Sequence, residues 1–217
     1  NAREGISAKR RGWLAARAPF PHSIGEHIMA LTAITLCARA LTKLGAQPIA
    51  SFEDGTAEGE VANSLYPGTR DALLASHPWS FATTQAALPR LAQSPSAEFR
   101  YAFQLPPDFL RAISAGTAGR ATGLLYRIQG SKLLTDVETV ALTHIFRPDE
   151  SAFPPFFVAA LVARLAAEFC LPLTENTTRA DLLARLAEAE LRVARRADSQ
   201  QASATALGSF PLISVRG

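Results

Sequence analysis

The side chains that most often carry chemistry in proteins are scattered in this sequence. None of its four histidines belongs to an HExxH pair or lies at metal-ligand spacing from a cysteine. The chain contains neither a GxSxG turn nor a Walker A loop nor a Cys-x-x-Cys pair. The adjacent carboxylates Asp149 and Glu150 are predicted to lie in a solvated turn. These patterns predict no catalytic residue, no metal site and no cofactor, and they favour a protein that is not an enzyme.

The cysteines and the glycine-rich stretch have structural explanations. Cys37 and Cys170 fall within apolar helical patterns, so we expect both to be small buried hydrophobic residues. The glycines at 116, 119 and 123 have the wrong spacing for a phosphate-binding loop and do not join a strand to a helix.

The formal net charge of +3 is concentrated near the N-terminus. Residues 1–28 hold five basic and two acidic residues, and the remaining chain holds 17 of each. A neutral remainder is not typical of a general polyanion binder. The candidate contacts to DNA or to a neighbouring subunit are Lys9, Arg10, Arg11 and Arg17. Because Met29 is the only methionine, three interpretations of residues 1–28 stay open: a native basic arm, a targeting peptide, and residues upstream of the start site.

Hydrophobic periodicity predicts the elements that would position any site. Apolar residues recur with helical spacing over 31–44, 60–76, 156–171 and 178–197. Region 80–146 alternates with a period of two and contains a two-residue turn at Gly130–Ser131. The predicted fold is α+β: a four-helix bundle with a small inserted antiparallel β-sheet and extended N- and C-terminal arms. The predicted divisions are an arm at 1–28, a domain at 29–197 and a tail at 198–217.

The third and fourth helices are predicted to form an antiparallel pair. Pro172 should end the third helix. That helix is the most apolar run, but Arg164 and Glu168 interrupt it, so a buried amphipathic helix is predicted and no membrane contact. Residues 176–178 are expected to cap the fourth helix, with Asp181 in a capping-box position three residues after Thr178. Four apolar residues with 4-3-4 spacing are expected to form its buried seam: Leu182, Leu186, Ala189 and Val193.

The C-terminal tail joins a polar linker to an apolar segment with strand propensity. An apolar strand on a polar tether indicates either contact with a partner surface or packing against its own domain. The candidate contact residues are Phe210, Pro211, Leu212, Ile213 and Val215.

The stretch from Leu41 to Phe81 has a recognisable order of elements. A helix end is followed by Leu-Gly-x-x-Pro-Ile, an acidic loop, a helix containing Pro67, and a Pro-Trp-x-Phe exit. The residues that carry the pattern are Leu44, Gly45, Pro48, Ile49, Ala62, Leu65, Tyr66, Arg70, Trp79 and Phe81. The pattern resembles the tail tubular protein A family of short-tailed phages, and it is similar to the head-to-tail adaptors of long-tailed phages and gene transfer agents. The resemblance covers Leu31 to Ala197.

This resemblance implies a structural head-to-tail adaptor. Copies of the chain would form a heterologous, dodecameric ring beneath the portal, with DNA passing through the lumen. The implied partners are other copies of the chain, the portal protein and the next tail component (a stopper or nozzle). The implied location is the head-tail interface of a virion or phage-like particle assembled in the bacterial cytoplasm, and the tail residues Phe210–Val215 would grip the portal. The glycine-rich loop at 116–123 and the N-terminal arm depart from the family pattern. The alternative that the residues leave open is a small nucleic-acid-binding module that uses the basic arm.

Overall fold

The computed structural model describes residues 31–93, 95, 98–117 and 123–201. Over these residues the chain is α+β, with four α-helices and two antiparallel three-stranded sheets. The helices are α1 (Ala33–Leu44), α2 (Ala57–Ala75), α3 (Pro155–Thr174) and α4 (Thr177–Ser199). The strands are β1 (Thr83–Ala87), β2 (Tyr101–Gln104), β3 (Phe109–Gly116), β4 (Tyr126–Gln129), β5 (Lys132–Thr135) and β6 (Ala141–Phe146).

The α+β class is confirmed, but the single inserted sheet is wrong. One sheet has the order β1-β6-β3 and the other has the order β2-β5-β4. The four-helix bundle is not confirmed, because the strands separate α2 from α3 along the chain and the helices α1, α2 and α4 each pack on α3. The predicted N-terminal arm at 1–28 and residues 202–217 of the predicted tail lie outside the described residues, whereas Asp198 and Ser199 of that tail belong to α4.

Local capping explains where the first two helices begin and end. Thr32 forms a capping box with Thr35 at the start of α1, and Gly45 ends that helix with φ of +68°, the left-handed conformation predicted for it. Thr56 accepts a hydrogen bond from the Gly59 N–H, so α2 begins at Ala57 and not at residue 60.

The prediction that Pro172 ends α3 is wrong. The helix continues to Thr174, and Glu175 ends it in the left-handed conformation with φ of +51°. Pro172 lies in the last turn, so its missing N–H and its ring affect only that end of the helix. The Thr174 hydroxyl donates to the Cys170 carbonyl at 2.6 Å, a local bond back to the preceding turn of the helix.

The predicted capping box of Thr178 with Asp181 and the predicted seam of α4 are wrong, although the cap lies within the predicted range 176–178. Asn176 caps the helix by accepting a hydrogen bond from the Arg179 N–H at 2.9 Å. The buried residues of α4 are Ala187, Leu191, Ala194 and Asp198, and Ala180 and Leu183 are partly buried against the helical core. Buried alanines on α3, among them Ala160 and Ala166, belong to the same helical core. Small side chains let two helix axes approach closely, which favours the face with Ala187 and Ala194 over the face with Leu182 and Leu186.

The two sheets are joined through β6, the central strand of the first sheet. Ile145 belongs to the helical core, whereas Leu142 belongs to a second core that includes Phe103 and Leu133. Strand side chains alternate between faces, so β6 is buried on both sides. In the second sheet β4 and β5 form the predicted hairpin, with Gln129 paired to Lys132 and Gly130 at φ of +57°.

Candidate interaction surfaces

The largest apolar side chains of α4 face solvent. Leu182 is 57% exposed, Leu186 is 51% exposed and Val193 is 58% exposed. With the half-buried Ala189 they form one continuous stripe along the helix, which we name the α4 ridge. Eleven residue rises of 1.5 Å separate Leu182 from Val193, so the ridge is about 16 Å long. An exposed apolar stripe of this kind indicates contact with another macromolecule.

A groove runs between α2 and α4, with α3 as its floor. Two adjoining cavities of about 520 and 770 Å³ share Ser64, Leu65, Arg164 and Glu168, so they form one continuous depression, which we name the α2–α4 groove. Along α2 its wall extends from Glu60 to Ser76, about 24 Å at 1.5 Å per residue. Much of its lining is small: Ser64, Gly68, Ala72, Ala160, Ala184 and Ala187.

The charges of these two surfaces differ in sign. The groove is lined by four acidic and two basic side chains, namely Glu60, Glu168, Asp181, Glu188, Arg164 and Arg195. Arg164 lies at the middle of the floor, where it pairs with Glu168 at 2.7 Å and with Glu188 at 3.6 Å. Three exposed arginines follow one edge of the ridge, where Asp181 lies beside Arg185, and one glutamate lies near the other edge: Arg185, Arg192, Arg196 and Glu190. The groove is therefore acidic and the ridge edge is basic.

A buried carboxylate fixes the C-terminal end of α4 and therefore the direction of the ridge. Asp198 is 4% exposed and accepts hydrogen bonds from the Ser80 N–H at 3.0 Å and from the Ser80 hydroxyl at 2.7 Å. His77 Nε2 lies 3.5 Å from the same carboxylate. Burial lowers the pKa of His77; Asp198 counteracts this shift, and Arg195 adds to it. All of these contacts are made to the Asp198 carboxylate, which therefore joins the C-terminal end of α4 to residues 77–80, just after α2.

A second polar cluster joins α2 to the segment after β6. The Tyr66 hydroxyl donates to Glu150 at 2.9 Å, and Arg70 donates to Glu150 at 3.1 Å and to Asp71 at 2.9 Å. Arg147 completes the cluster by donating to Asp71 at 3.0 Å. The prediction that Glu150 lies in a solvated turn is therefore wrong.

The cluster shifts the pKa values of its members. Burial raises the pKa of both carboxyl groups, but the hydrogen bonds that they accept lower it by more. Glu150 accepts hydrogen bonds from its own backbone, Tyr66 and Arg70. Asp71 accepts hydrogen bonds from Arg147 and Arg70. The pKa of each carboxyl therefore lies below its ordinary value. Burial, reinforced by the charge of Glu150, raises the pKa of Tyr66. The Tyr66 phenol and both carboxylates thus have a structural role, which is to connect α2 to the segment after β6.

The remaining chemistry-bearing side chains have structural positions. Cys37 is buried, and its burial raises the thiol pKa to about 12, which suppresses thiolate reactivity. His144 is buried in β6, with its ring 5.8 Å from that of Phe109. Across the described part of the chain, no three histidine, cysteine, aspartate or glutamate side chains lie together as metal ligands would.

Helix α3 meets the length and composition criterion for a membrane span, with a mean hydropathy of 1.9. Half of that stretch is buried within the domain, and the central helix of a folded domain meets the same criterion. The helix is therefore weak support for membrane insertion.

The site residues predicted from sequence lie outside the described residues. These are Phe210, Pro211, Leu212, Ile213 and Val215 in the tail, and Lys9, Arg10, Arg11 and Arg17 in the arm. In contrast, several residues that carry the resemblance are core residues: Leu44, Ile49, Ala62, Tyr66 and Trp79 are all buried. The Trp79 indole donates to the Leu73 carbonyl at 3.1 Å and packs edge-on against Phe157. These residues hold the fold together and do not form a binding surface.

The sequence contained the ridge but did not reveal its role. The 4-3-4 repeat predicts a buried seam, but its large side chains are exposed in the structure. The signal that could have identified the ridge is the second apolar repeat, formed by Ala187, Leu191 and Ala194. A helix with two apolar faces, one of them rich in alanine, has more apolar surface than one packing partner covers.

Comparison of the sequence with models of known protein families and with curated proteins gives no match.

Proposed function

We propose that this protein is a structural head-to-tail adaptor that forms a ring between the portal and the tail of a phage or phage-like particle, such as a gene transfer agent. The observation that carries the proposal is the α4 ridge. Three large apolar side chains, each at least half exposed, lie on one helix of a domain whose other helices pack around α3. Such a surface favours a protein that functions by contact with other protein chains.

In the proposed assembly the described domain is the body of each ring subunit. The portal would bind the C-terminal tail through Phe210, Pro211, Leu212, Ile213 and Val215. The next tail component would bind the opposite face of the ring, and DNA would pass through the lumen. A near-neutral body suits this role, because each phosphate contact would add counterion-release affinity and slow the passage of DNA. The extended N- and C-terminal arms and the location at the head-tail interface belong to this proposal.

The test is the native mass of the full chain, alone and mixed with a candidate portal protein encoded beside its gene. In dilute solution, where contacts between copies alone are weak, we expect a ring-sized complex only in the mixture. Deletion of residues 207–217 should abolish attachment while the circular dichroism spectrum of the domain stays unchanged.

The tail also offers a matched control. The double variant Ser209→Ala and Ser214→Ala changes the same segment without removing its apolar side chains, so it should still bind. Attachment of the deletion variant would refute the tail assignment, and absence of any ring-sized complex in the mixture would refute the adaptor function.

One observation favours a second candidate function, a small nucleic-acid-binding module. The whole net charge of the chain can be assigned to residues 1–28, which include Lys9, Arg10, Arg11 and Arg17. A module of this kind should bind duplex DNA without any portal, and its affinity should fall steeply as salt rises. Substitution of these four cations by glutamine should remove that binding. An adaptor should show weak binding that changes little with these substitutions.

A further inference from the structure

The α4 ridge and the α2–α4 groove lie on different sides of the same molecule. At 100° per residue, the ridge residues and the groove-lining residues of α4 point in directions roughly 170° apart around the helix. A molecule with a projecting surface on one side and a recess on the other can join identical copies head to tail. The two surfaces do not overlap, so one copy can use both at the same time.

Their dimensions, chemistry and charge match. The ridge is about 16 Å long and the groove is about 24 Å long, so the ridge fits within the groove. The ridge presents Leu182, Leu186 and Val193, and the α2 wall of the groove carries small side chains such as Gly68 and Ala72. The basic edge of the ridge would meet the acidic lining of the groove, which sets the orientation of approach.

We propose that the α4 ridge of one copy of this chain binds in the α2–α4 groove of the next copy. The incoming α4 would lie on the neighbour's α3, between the neighbour's own α2 and α4. The contact is heterologous, and its repetition closes a ring if the rotation between copies allows closure. This inference rests on the proposed function, in which copies meet side by side, and it assigns the surfaces that meet.

Two variants remove the two halves of the contact separately. Leu186→Asp places a charge on the ridge and adds negative charge toward an acidic groove. Gly68→Leu fills the groove, and the fold tolerates this change because Gly68 is helical and a Cβ added there meets nothing within 4 Å. Leu125→Asp is the matched control, since Leu125 is 77% exposed and lies beside β4, away from both surfaces.

The assay is sedimentation of the full chain over a concentration series up to about 1 mM. We expect the wild type and Leu125→Asp to self-associate, and each of the other two variants to associate about tenfold or more weakly. Higher salt should weaken the wild-type association, because the charges at the edges are exposed. A mixture of Leu186→Asp with Gly68→Leu should form dimers and nothing larger, since only one intact ridge meets one intact groove in each pair.

The outcomes separate this inference from the adaptor function. A chain that stays monomeric over the whole series, or variants that associate as tightly as the wild type, would overturn the assigned surfaces. Ring-sized complexes that still form when each variant is mixed with portal protein would also overturn them, but would leave the adaptor function standing. Self-association that depends on ridge and groove, with no complex in the presence of portal, would support the surfaces and refute the adaptor.

Discussion

Truncation of two leucines on α4 tests which face of that helix is buried. Leu191 is 8% exposed and belongs to the helical core, whereas Leu186 is 51% exposed on the ridge. We expect Leu191→Ala to lower the free energy of unfolding by about 2–3 kcal/mol, at the lower end of the range for buried leucines because Leu191 also borders the groove. Leu186→Ala should cost less than about 1 kcal/mol, since half of that side chain is already in water.

The difference is measurable as a shift in melting temperature. For a domain of this size about 1 kcal/mol corresponds to roughly 2–4 °C, so Leu191→Ala should lower Tm by about 4–12 °C. Leu186→Ala should change Tm by only a few degrees at most, by the same conversion. Thermal and urea unfolding followed by far-ultraviolet circular dichroism would measure both. The samples should be dilute, because association through the ridge would itself raise the apparent stability.

One result would refute the reasoning. If Leu186→Ala costs as much as Leu191→Ala in samples shown to be monomeric, the ridge is buried in the monomer. The 4-3-4 face would then be the seam against α3, and both the proposed ring contact and the assignment of the groove would fail.

Three further predictions follow from the polar clusters and the buried thiol. Asp198→Asn should lower the free energy of unfolding by about 1.5–3 kcal/mol, the range for a hydrogen bond to a charged group, as measured by urea unfolding; an unchanged midpoint would contradict the structural tie. The pKa of His77 is lower in the folded protein than in the unfolded chain, so the unfolded chain binds more protons as pH falls. The contribution of neutral His77 to the free energy of unfolding is therefore complete above the unfolded pKa of about 6.5 and is lost as pH falls below that value. A His77→Gln variant should therefore lose less stability between pH 7 and 5.5 than the wild type, and identical pH profiles would contradict this linkage. Cys37 should react with a thiol reagent at pH 8 only after unfolding in urea, and fast labelling of Cys37 in the native protein, identified by peptide mass, would show that the thiol is accessible.

Local signals in the sequence were sufficient for the class of fold and for several element ends. Period-two and period-3.6 patterns separate the strands from the helices, because each reports which side chains share a face. Gly45 ends α1, and Gly130 starts the hairpin turn, as predicted. A positive φ favours glycine wherever it occurs, so these two positions can be recognised from the local sequence.

The tertiary structure decided how the elements are combined. Nothing in the local pattern divides six strands into two sheets, since strand order depends on contacts between residues far apart, such as Thr83 with Ile145. The position of Glu150 was likewise decided by residues distant in sequence, Tyr66 and Arg70. Their hydrogen bonds connect the Glu150 carboxylate to α2, whereas the sequence predicted a carboxylate in solvent.

The clearest case is α4, where the sequence contains two apolar faces and periodicity alone does not rank them. The 4-3-4 repeat predicts that the face with the larger side chains is buried, but the buried face carries Ala187 and Ala194, and α3 contributes alanines such as Ala160 and Ala166 to the core; small side chains permit the closer approach. By itself the sequence determined that α4 is a helix with more apolar surface than one neighbour covers. Which face was left for another chain depended on the shape of α3, and that shape exists only once the domain has folded.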